Sequence, residues 1–397
     1  EAAERLYGES IAALEARGAD AQARIDLADA LAGLAELHFR AGRYPDAEPL
    51  LRRVLDIRRE RLPAGDPAIA DALEELGLNQ FDQGNFEQAE THLRDALAMR
   101  RAALGDAPHP DVAENMNNLA LLLMESQRFD ESETLFRQAM AMKSALYGAV
   151  HPDVATGLNN LGLLYSSKGD LERAEETYNE ALGMQRQLRG QQHPEVARVL
   201  SNLAFVHYDE NDLATAIEQM RAAMEMHRAT SGAKHPDTAN SMSVLGRWLG
   251  EAGKDAEAAT MLRQALTLLT ELHGPKHPDV AIAELDLSQT LTRAGDPGEA
   301  LRMAESAEAK VTEAFGAEHW IAAVGRSTHG AVLAAMGRFA EAEPLLKQGY
   351  EALRANPASR PVYVKRARES LVSLYEAWGR KDLALAYRED APAAPGT

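Results

Sequence analysis

Six histidines stand at a strict interval. His109, His151, His193, His235, His277 and His319 each lie 42 residues from the next. Five are followed by Pro and an acidic residue, and His319 by Trp320. Imidazole nitrogen is a common metal ligand, so evenly spaced histidines raise the question of a metal site. Asparagines share the interval: Asn118, Asn160 and Asn202, with Asn117 and Asn159 preceding the first two. An amide offers one donor group and one acceptor, which suits holding a peptide unit rather than breaking a bond. The chain has no cysteine, so thiolate chemistry and disulfides are excluded. It carries no HExxH, no P-loop, no nucleophile motif and no dinucleotide glycine pattern.

A period of this length marks a repeat array, and the motifs must be read within it. In residues 151–192, Pro152 suits a first helical turn, where its missing N–H costs nothing. Asp153 adds negative charge at the positive end of the helix dipole. Leu158, Leu161, Gly162 and Tyr165 then recur at helical spacing, Gly169-Asp170 breaks the helix, and Ala174, Tyr178, Ala181 and Leu182 mark the face of a second one. Gly162 and Ala174 have small counterparts along the chain, which predicts close approach of the two helices. Gly42, Gly84, Gly169, Gly253, Gly295, Gly337 and Gly379 hold the turn. Equivalent residues of neighbouring repeats stand about 10 Å apart, since helices pack at ~8–10 Å. Two nitrogens each ~2.0–2.1 Å from one zinc cannot be so distant, so the histidines are read as residues that begin helices.

The pattern of Leu-Gly, Tyr, Gly, Ala, aromatic and Ala resembles the tetratricopeptide repeat (TPR). Its 42-residue period and its "HPDVA…LNNLA" run resemble the kinesin light chain variety. The resemblance covers nearly the whole chain. It implies an all-α, right-handed superhelical solenoid of about nine helix pairs, beginning near residues 21, 66, 109, 151, 193, 235, 277, 319 and 361. A further helix lies at residues 3–16, the solenoid forms a single domain over residues 1–389, and residues 390–397 form a disordered tail. A J domain also carries His-Pro-Asp, but once, not every 42 residues. At the position of Leu158 the last three repeats carry Glu284, Arg326 and Arg368, which predicts different packing or another contact there. His38 and His207, at the Tyr165 position, are expected to be satisfied between helices.

In TPR arrays the first helices line the concave groove, and in the kinesin light chain family an asparagine ladder holds the backbone of an extended peptide. Carried onto this sequence, the resemblance assigns a peptide-binding role to Asn117, Asn118, Asn159, Asn160 and Asn202. Leu121, Leu163, Phe205 and Tyr208 would give apolar contact to the ligand's side chains. Arg198 and Arg247 would meet an acidic ligand residue, and Asp71, Glu74, Glu75, Asp82, Glu114 and Glu125 basic ones. The competing reading is that the asparagines only bridge adjacent helices. The Lys/Asn/Arg set of chaperone-binding TPR domains is missing. The last unit, "LVSLYEAWGRKDLALAYRE", resembles the end of TPR tails that follow bacterial serine/threonine kinase domains. That implies a sensor or partner-recruiting region of such a kinase; self-assembly through the terminal repeats is a third reading.

Composition agrees with a helical binding module rather than an enzyme. Hydrophobic residues make up 45% and aromatics only 5%, while Ala, Leu, Glu and Arg dominate, a mixture that favours helix. The formal net charge of −19 argues against nucleic acid or an anionic membrane as the main partner. No apolar run approaches a membrane span. The partner is expected to be a protein or peptide, with no cofactor and no metal, in the cytoplasm. Residue 1 is Glu, which suggests a chain cut from a longer protein.

Overall fold

A computed structural model of the chain describes residues 2–389 apart from 19, 106, 357, 358 and 360. The expected tail, 390–397, lies outside these residues. The described residues form nineteen helices and no strand, arranged as nine pairs behind one leading helix, as the sequence pattern predicts. The chain divides into two compact units, Glu1–Gln191 and Gln192–Thr397. The first holds α1 (Ala2–Ala16) and the pairs α2 (Ala21–Arg40)/α3 (Tyr44–Arg61), α4 (Pro67–Asp82)/α5 (Phe86–Leu104), α6 (Pro110–Glu125)/α7 (Phe129–Tyr147) and α8 (Pro152–Lys168)/α9 (Leu171–Arg189). The second holds α10 (Pro194–Asp209)/α11 (Leu213–Thr230), α12 (Pro236–Glu251)/α13 (Asp255–His273), α14 (Pro278–Ala294)/α15 (Pro297–Phe315), α16 (Trp320–Ala335)/α17 (Phe339–Ala355) and α18 (Pro361–Ala377)/α19 (Lys381–Glu389).

The repeated histidine is the N-cap of the first helix. Nδ1 of His109, His151, His193, His235, His277 and His319 accepts a hydrogen bond from the backbone N–H two residues on, at 3.1–3.2 Å. This satisfies one of the donors that a helix start leaves orphaned. Asp66 does the same for Ala68 at 3.0 Å. The cap requires Nδ1 to be unprotonated, so the proton of the neutral ring sits on Nε2. Three of these rings also stack on an aromatic at the end of the preceding second helix: His151 on Tyr147, His277 on His273 and His319 on Phe315.

Small residues set the spacing within a pair. A Cβ on Gly162 would stand 2.7 Å from the ring of Tyr178, and one on Gly246 2.7 Å from Leu262. Where serine replaces the small residue it turns its hydroxyl inward: Ser132 donates to the Ala120 carbonyl at 2.7 Å and Ser288 to that of Ala300 at 2.8 Å. The inter-helix turn needs a positive φ. Glycine supplies it at the seven expected positions, and Gln127 and Asn211 adopt it where glycine is missing.

Each helix packs on its chain neighbours within a unit, and successive first helices also touch: α4, α6 and α8 in the first unit, α12, α14, α16 and α18 in the second. Successive second helices reach each other through long side chains, as in the hydrogen bond from Arg52 to Gln88 and the ion pair of Arg263 with Glu299. First helices therefore form the crowded, inner face of each unit and second helices the outer one.

The expected departure at Glu284 is a local repacking. Glu284 is buried and its carboxylate accepts from Lys310 Nζ at 2.6 Å and from the Ser306 hydroxyl at 3.1 Å. His38 and His207 differ from the expectation. Nδ1 of His38 is buried without a hydrogen-bond partner. That of His207 meets Glu210 on its own helix end, at 3.2 Å.

Candidate peptide-binding face

The inner face of the first unit carries the asparagines on α6 and α8. Their apolar neighbours hold these helices down: Leu119, Leu122 and Leu123 on α6, and Leu158, Leu161 and Leu164 on α8, are buried. The helical turn then leaves Asn117 and Asn118 half-buried on the open side, with Leu121 one step on. Asn160 Nδ2 donates to Asn117 Oδ1 at 2.8 Å, from α8 to α6. Asn118 Nδ2 donates to Glu74 Oε1 on α4 at 3.0 Å, and Asn115 Nδ2 donates to the same oxygen at 3.1 Å. The polar residues thus bridge consecutive first helices, the competing reading of the sequence. The bridge uses one half of each amide; for Asn160 Oδ1, on a side chain that is largely buried, and for Asn117 Nδ2 no hydrogen-bond partner is found among the described residues. Asn159 is buried, whereas Leu163 is exposed.

The acidic group of this unit is less free than the sequence implied. Arg100, buried on α5, pairs with Asp71 at 2.8 Å and Glu74 at 2.6 Å. Sequence reasoning missed Arg100 because it sits on a second helix and points inward. Glu75 is different. Burial pushes its carboxyl above the usual range against the pull of Arg58, with Asp71, Glu36 and Glu74 adding to the rise. Burial does the same to Asp82.

The second unit places Asn202, Phe205 and Tyr208 on α10. Asn202 is half-buried, and Phe205 is exposed and meets the buried Trp248 of α12 edge-on at 5.2 Å between ring centroids. Tyr208 stacks on the same indole at 4.9 Å and donates its hydroxyl to Glu251 Oε2 at 2.8 Å. Arg198 is engaged on its own helix, where its Nε donates to Glu195 Oε2 at 3.1 Å. Arg247 interacts electrostatically with Asp286, Tyr363, Glu251 and Tyr208, and no hydrogen bond or ion pair to it is found among the described residues. Asp286, which takes the ladder position in α14, has its Oδ2 buried without a hydrogen-bond partner. Burial pushes its carboxyl up to about 6, opposed by Arg247, Arg366 and Arg293 and assisted by Glu251.

Sequence reasoning missed Glu251 and Arg366, which are joined at 2.7 Å although 115 residues apart. No local spacing signals such a pair. Among the described residues no three His, Asp or Glu side chains gather as a metal site requires. None of the described helices is long and apolar enough to cross a membrane.

A tetratricopeptide repeat family model matches residues 26–102, 111–187, 195–271 and 256–313, which is more than half of the chain. Two further tetratricopeptide repeat models match residues 74–145 and 323–348. No curated protein matches. Among solved structures, the chain is similar to BtubC (BKLC) from P. vanneervenii, with 26% identity and a TM-score of 0.49 over 59% of this chain and 92% of that one. The kinesin light chain nearly identical TPR-like repeats of Podosopora anserina share 20% identity and a TM-score of 0.46, over 52% of this chain and 96% of theirs. The apo form of RapI is 14% identical, with a TM-score of 0.60 over 91% of this chain and 95% of that one, which is a likeness of fold. With these matches spread from residue 26 to residue 348, the chain belongs to the tetratricopeptide repeat family.

Proposed function

We propose that the chain is a protein-interaction scaffold that holds an extended peptide, or a disordered segment of a partner, against the asparagine-bearing face of its first helices. Tetratricopeptide repeats mediate protein–protein interaction, and the fold is typically a non-catalytic scaffold. The observation that carries the finer reading is the Asn117–Asn160 bridge. It occupies one group of each amide, and the remaining groups, the Asn160 acceptor and the Asn117 donor, are the two kinds that a peptide unit needs. Leu163, exposed one step further along α8, supplies apolar contact beside them. Binding through the backbone tolerates varied ligand sequences. In the second unit the counterparts are Asn202 and the exposed Phe205.

The test compares the wild-type chain with an Asn118→Leu/Asn160→Leu variant. Partners captured by the wild type are identified, and the bound segment is titrated as a synthetic peptide. Affinity should fall by about tenfold or more, since each lost hydrogen bond contributes ~0.5–1.5 kcal/mol. The melting temperature should fall by only about a few degrees, for the lost Asn118–Glu74 and Asn160–Asn117 bonds, with the chain still folded at the assay temperature. A variant that instead unfolds, with affinity following the folded fraction, would show that the asparagines serve only to bridge helices. The kinase-tail resemblance adds a possible setting: a sensor or recruiting region beside a catalytic domain encoded elsewhere in the same chain. Sequencing upstream of Glu1 decides that question.

A further inference from the structure

First helices of the second unit touch in the order α12, α14, α16 and α18. The bond from Arg366 to Glu251 skips that order. Arg366 Nη2 on α18 donates to Glu251 Oε1 on α12 at 2.7 Å. The other oxygen, Oε2, accepts from the Tyr208 hydroxyl of α10 at 2.8 Å. The Tyr208 ring in turn stacks on Trp248 of α12, 4.9 Å between centroids. Glu251 is thus presented by its own end of the unit. Arg366 comes from the other end, on a helix whose Tyr363 lies against Trp320 of α16 at 5.5 Å.

Packing does not hold α18 to α12. Between them stands a cavity of about 900 Å³, lined by both Glu251 and Arg366. Ala331 and Ala335 of α16 and Ala367 and Ser370 of α18 are small, so they leave it unfilled. Across such a gap the dispersion contacts of a packed interface are forfeited. In a repeat array stability is a sum of terms between neighbours. A contact from α12 to α18 lies outside that sum. It persists only while α12/α14, α14/α16 and α16/α18 all keep their present rotations. The pair is also within reach of water: the Arg366 side chain is 37% exposed and that of Glu251 21%. A pair of this kind is weak enough to open and close.

We propose that Glu251 and Arg366 form a latch that sets the curvature of the second unit. Made, it keeps α18 drawn toward α12 over the cavity. Broken, it lets the three interfaces relax together, and the cavity widens. Tyr208 is the seat that aims Glu251 at its partner. The apolar wall at Val324 and Ala331 is screened in the closed state and reachable in the open one, so the contact controls access to that wall. The latch uses none of the asparagines and stands whether or not they bind peptide.

The test measures the separation of α12 and α18 in the full chain. The chain has no cysteine, so Lys254→Cys and Lys365→Cys, both exposed, take spin labels at two places only. Pulsed electron resonance then reads the distance between them. An opening of ~10° shared by three interfaces, on a lever of three helix spacings or ~30 Å, lengthens it by about 5 Å. Glu251→Ala and Arg366→Met should each produce that shift. The double variant should open no further than either single one, because each removes the whole latch. Fluorescence of added 1-anilinonaphthalene-8-sulfonate should rise in the same variants while the far-ultraviolet circular dichroism stays helical. Raising the salt from about 0.05 to about 1 M screens the pair and should lengthen the distance without either latch substitution. That arm decides if a variant unfolds. A distance unchanged in both single variants, a double variant that opens by the sum of the two, or a distance unchanged at high salt overturns the proposal.

Discussion

Replacing Glu284 by Leu restores the residue type that the array carries at Leu158, and it should nonetheless destabilise the protein. The Glu284 side chain is 8% exposed and the Lys310 side chain 19%. Their contact is 2.6 Å, and the single Ser306 O–H is shared between the two carboxylate oxygens, 3.1 Å from each. Removing one partner of a buried pair costs about 3–5 kcal/mol, because the other charge is left uncompensated. Lys310 keeps some access to water, which places the cost near the lower end. The aliphatic stem of Glu284 is already buried, so leucine adds about one or two methyl groups of apolar contact, at ~0.8 kcal/mol each. The net loss is about 2 kcal/mol. For a unit of this size that lowers the melting temperature by about 4–8 °C. Adding Lys310→Leu removes the orphaned ammonium, and the double variant should melt at or above the wild type, since a buried ion pair exchanged for apolar residues is often neutral or stabilising. Thermal unfolding followed by far-ultraviolet circular dichroism reads all four chains of the cycle. A single Glu284→Leu variant that melts no lower than the wild type refutes the reasoning, as does a double variant that stays as low as the single one.

Three further outcomes follow from the packing and the caps. Gly162→Ala places a Cβ 2.7 Å from the Tyr178 ring, so it should lower stability by about 1–2 kcal/mol in spite of alanine's better helix propensity. Gly183→Ala meets nothing within 4 Å and should raise stability by about 0.5–1 kcal/mol, both variants being measured by urea unfolding. Partial burial disfavours the charged form of His319 and holds its pKa below the ordinary histidine value. The unfolded chain then binds more protons, so the stability is fully present above about pH 6.5 and is lost as the pH falls through that value toward the folded pKa. His319→Asn keeps a capping acceptor without the titration, and its melting temperature should gain on that of the wild type between pH 7.5 and 5.

Much of the architecture was legible because it is local and repeated. The helix start at His151-Pro152-Asp153, the small residue at Gly162 and the turn at Gly169 recur at a fixed offset, so each copy reinforces the reading of the others. The chemistry of the histidine was only half legible. Sequence placed it at the start of a helix, whereas its role as a side-chain acceptor required the backbone geometry around Nδ1. The inner face was legible as a set of positions but not as a set of bonds. Asn118 and Asn160 were singled out by their interval. That Asn160 would reach Asn117, and that Asn118 would share Glu74 with Asn115, depends on how far one first helix is offset from the next.

The amino-acid sequence by itself determined that the chain is a helical repeat array, because a 42-residue period of apolar spacing, small residues and glycine turns admits no other packing unit. It also marked the apolar stripe of each helix, such as Leu158, Leu161 and Tyr165 on α8, since helical periodicity assigns that stripe without reference to distant contacts. Only the tertiary structure decided which charges are free. Arg198, Arg247, Asp71 and Glu74 looked equivalent as groove charges, yet Arg100 neutralises two of them, Glu195 holds the third, and Arg247 is left beside Asp286. The reason is that curvature accumulates over several helix pairs. It brings Glu251 to Arg366 across 115 residues, and no periodicity within one repeat encodes a contact that exists only once.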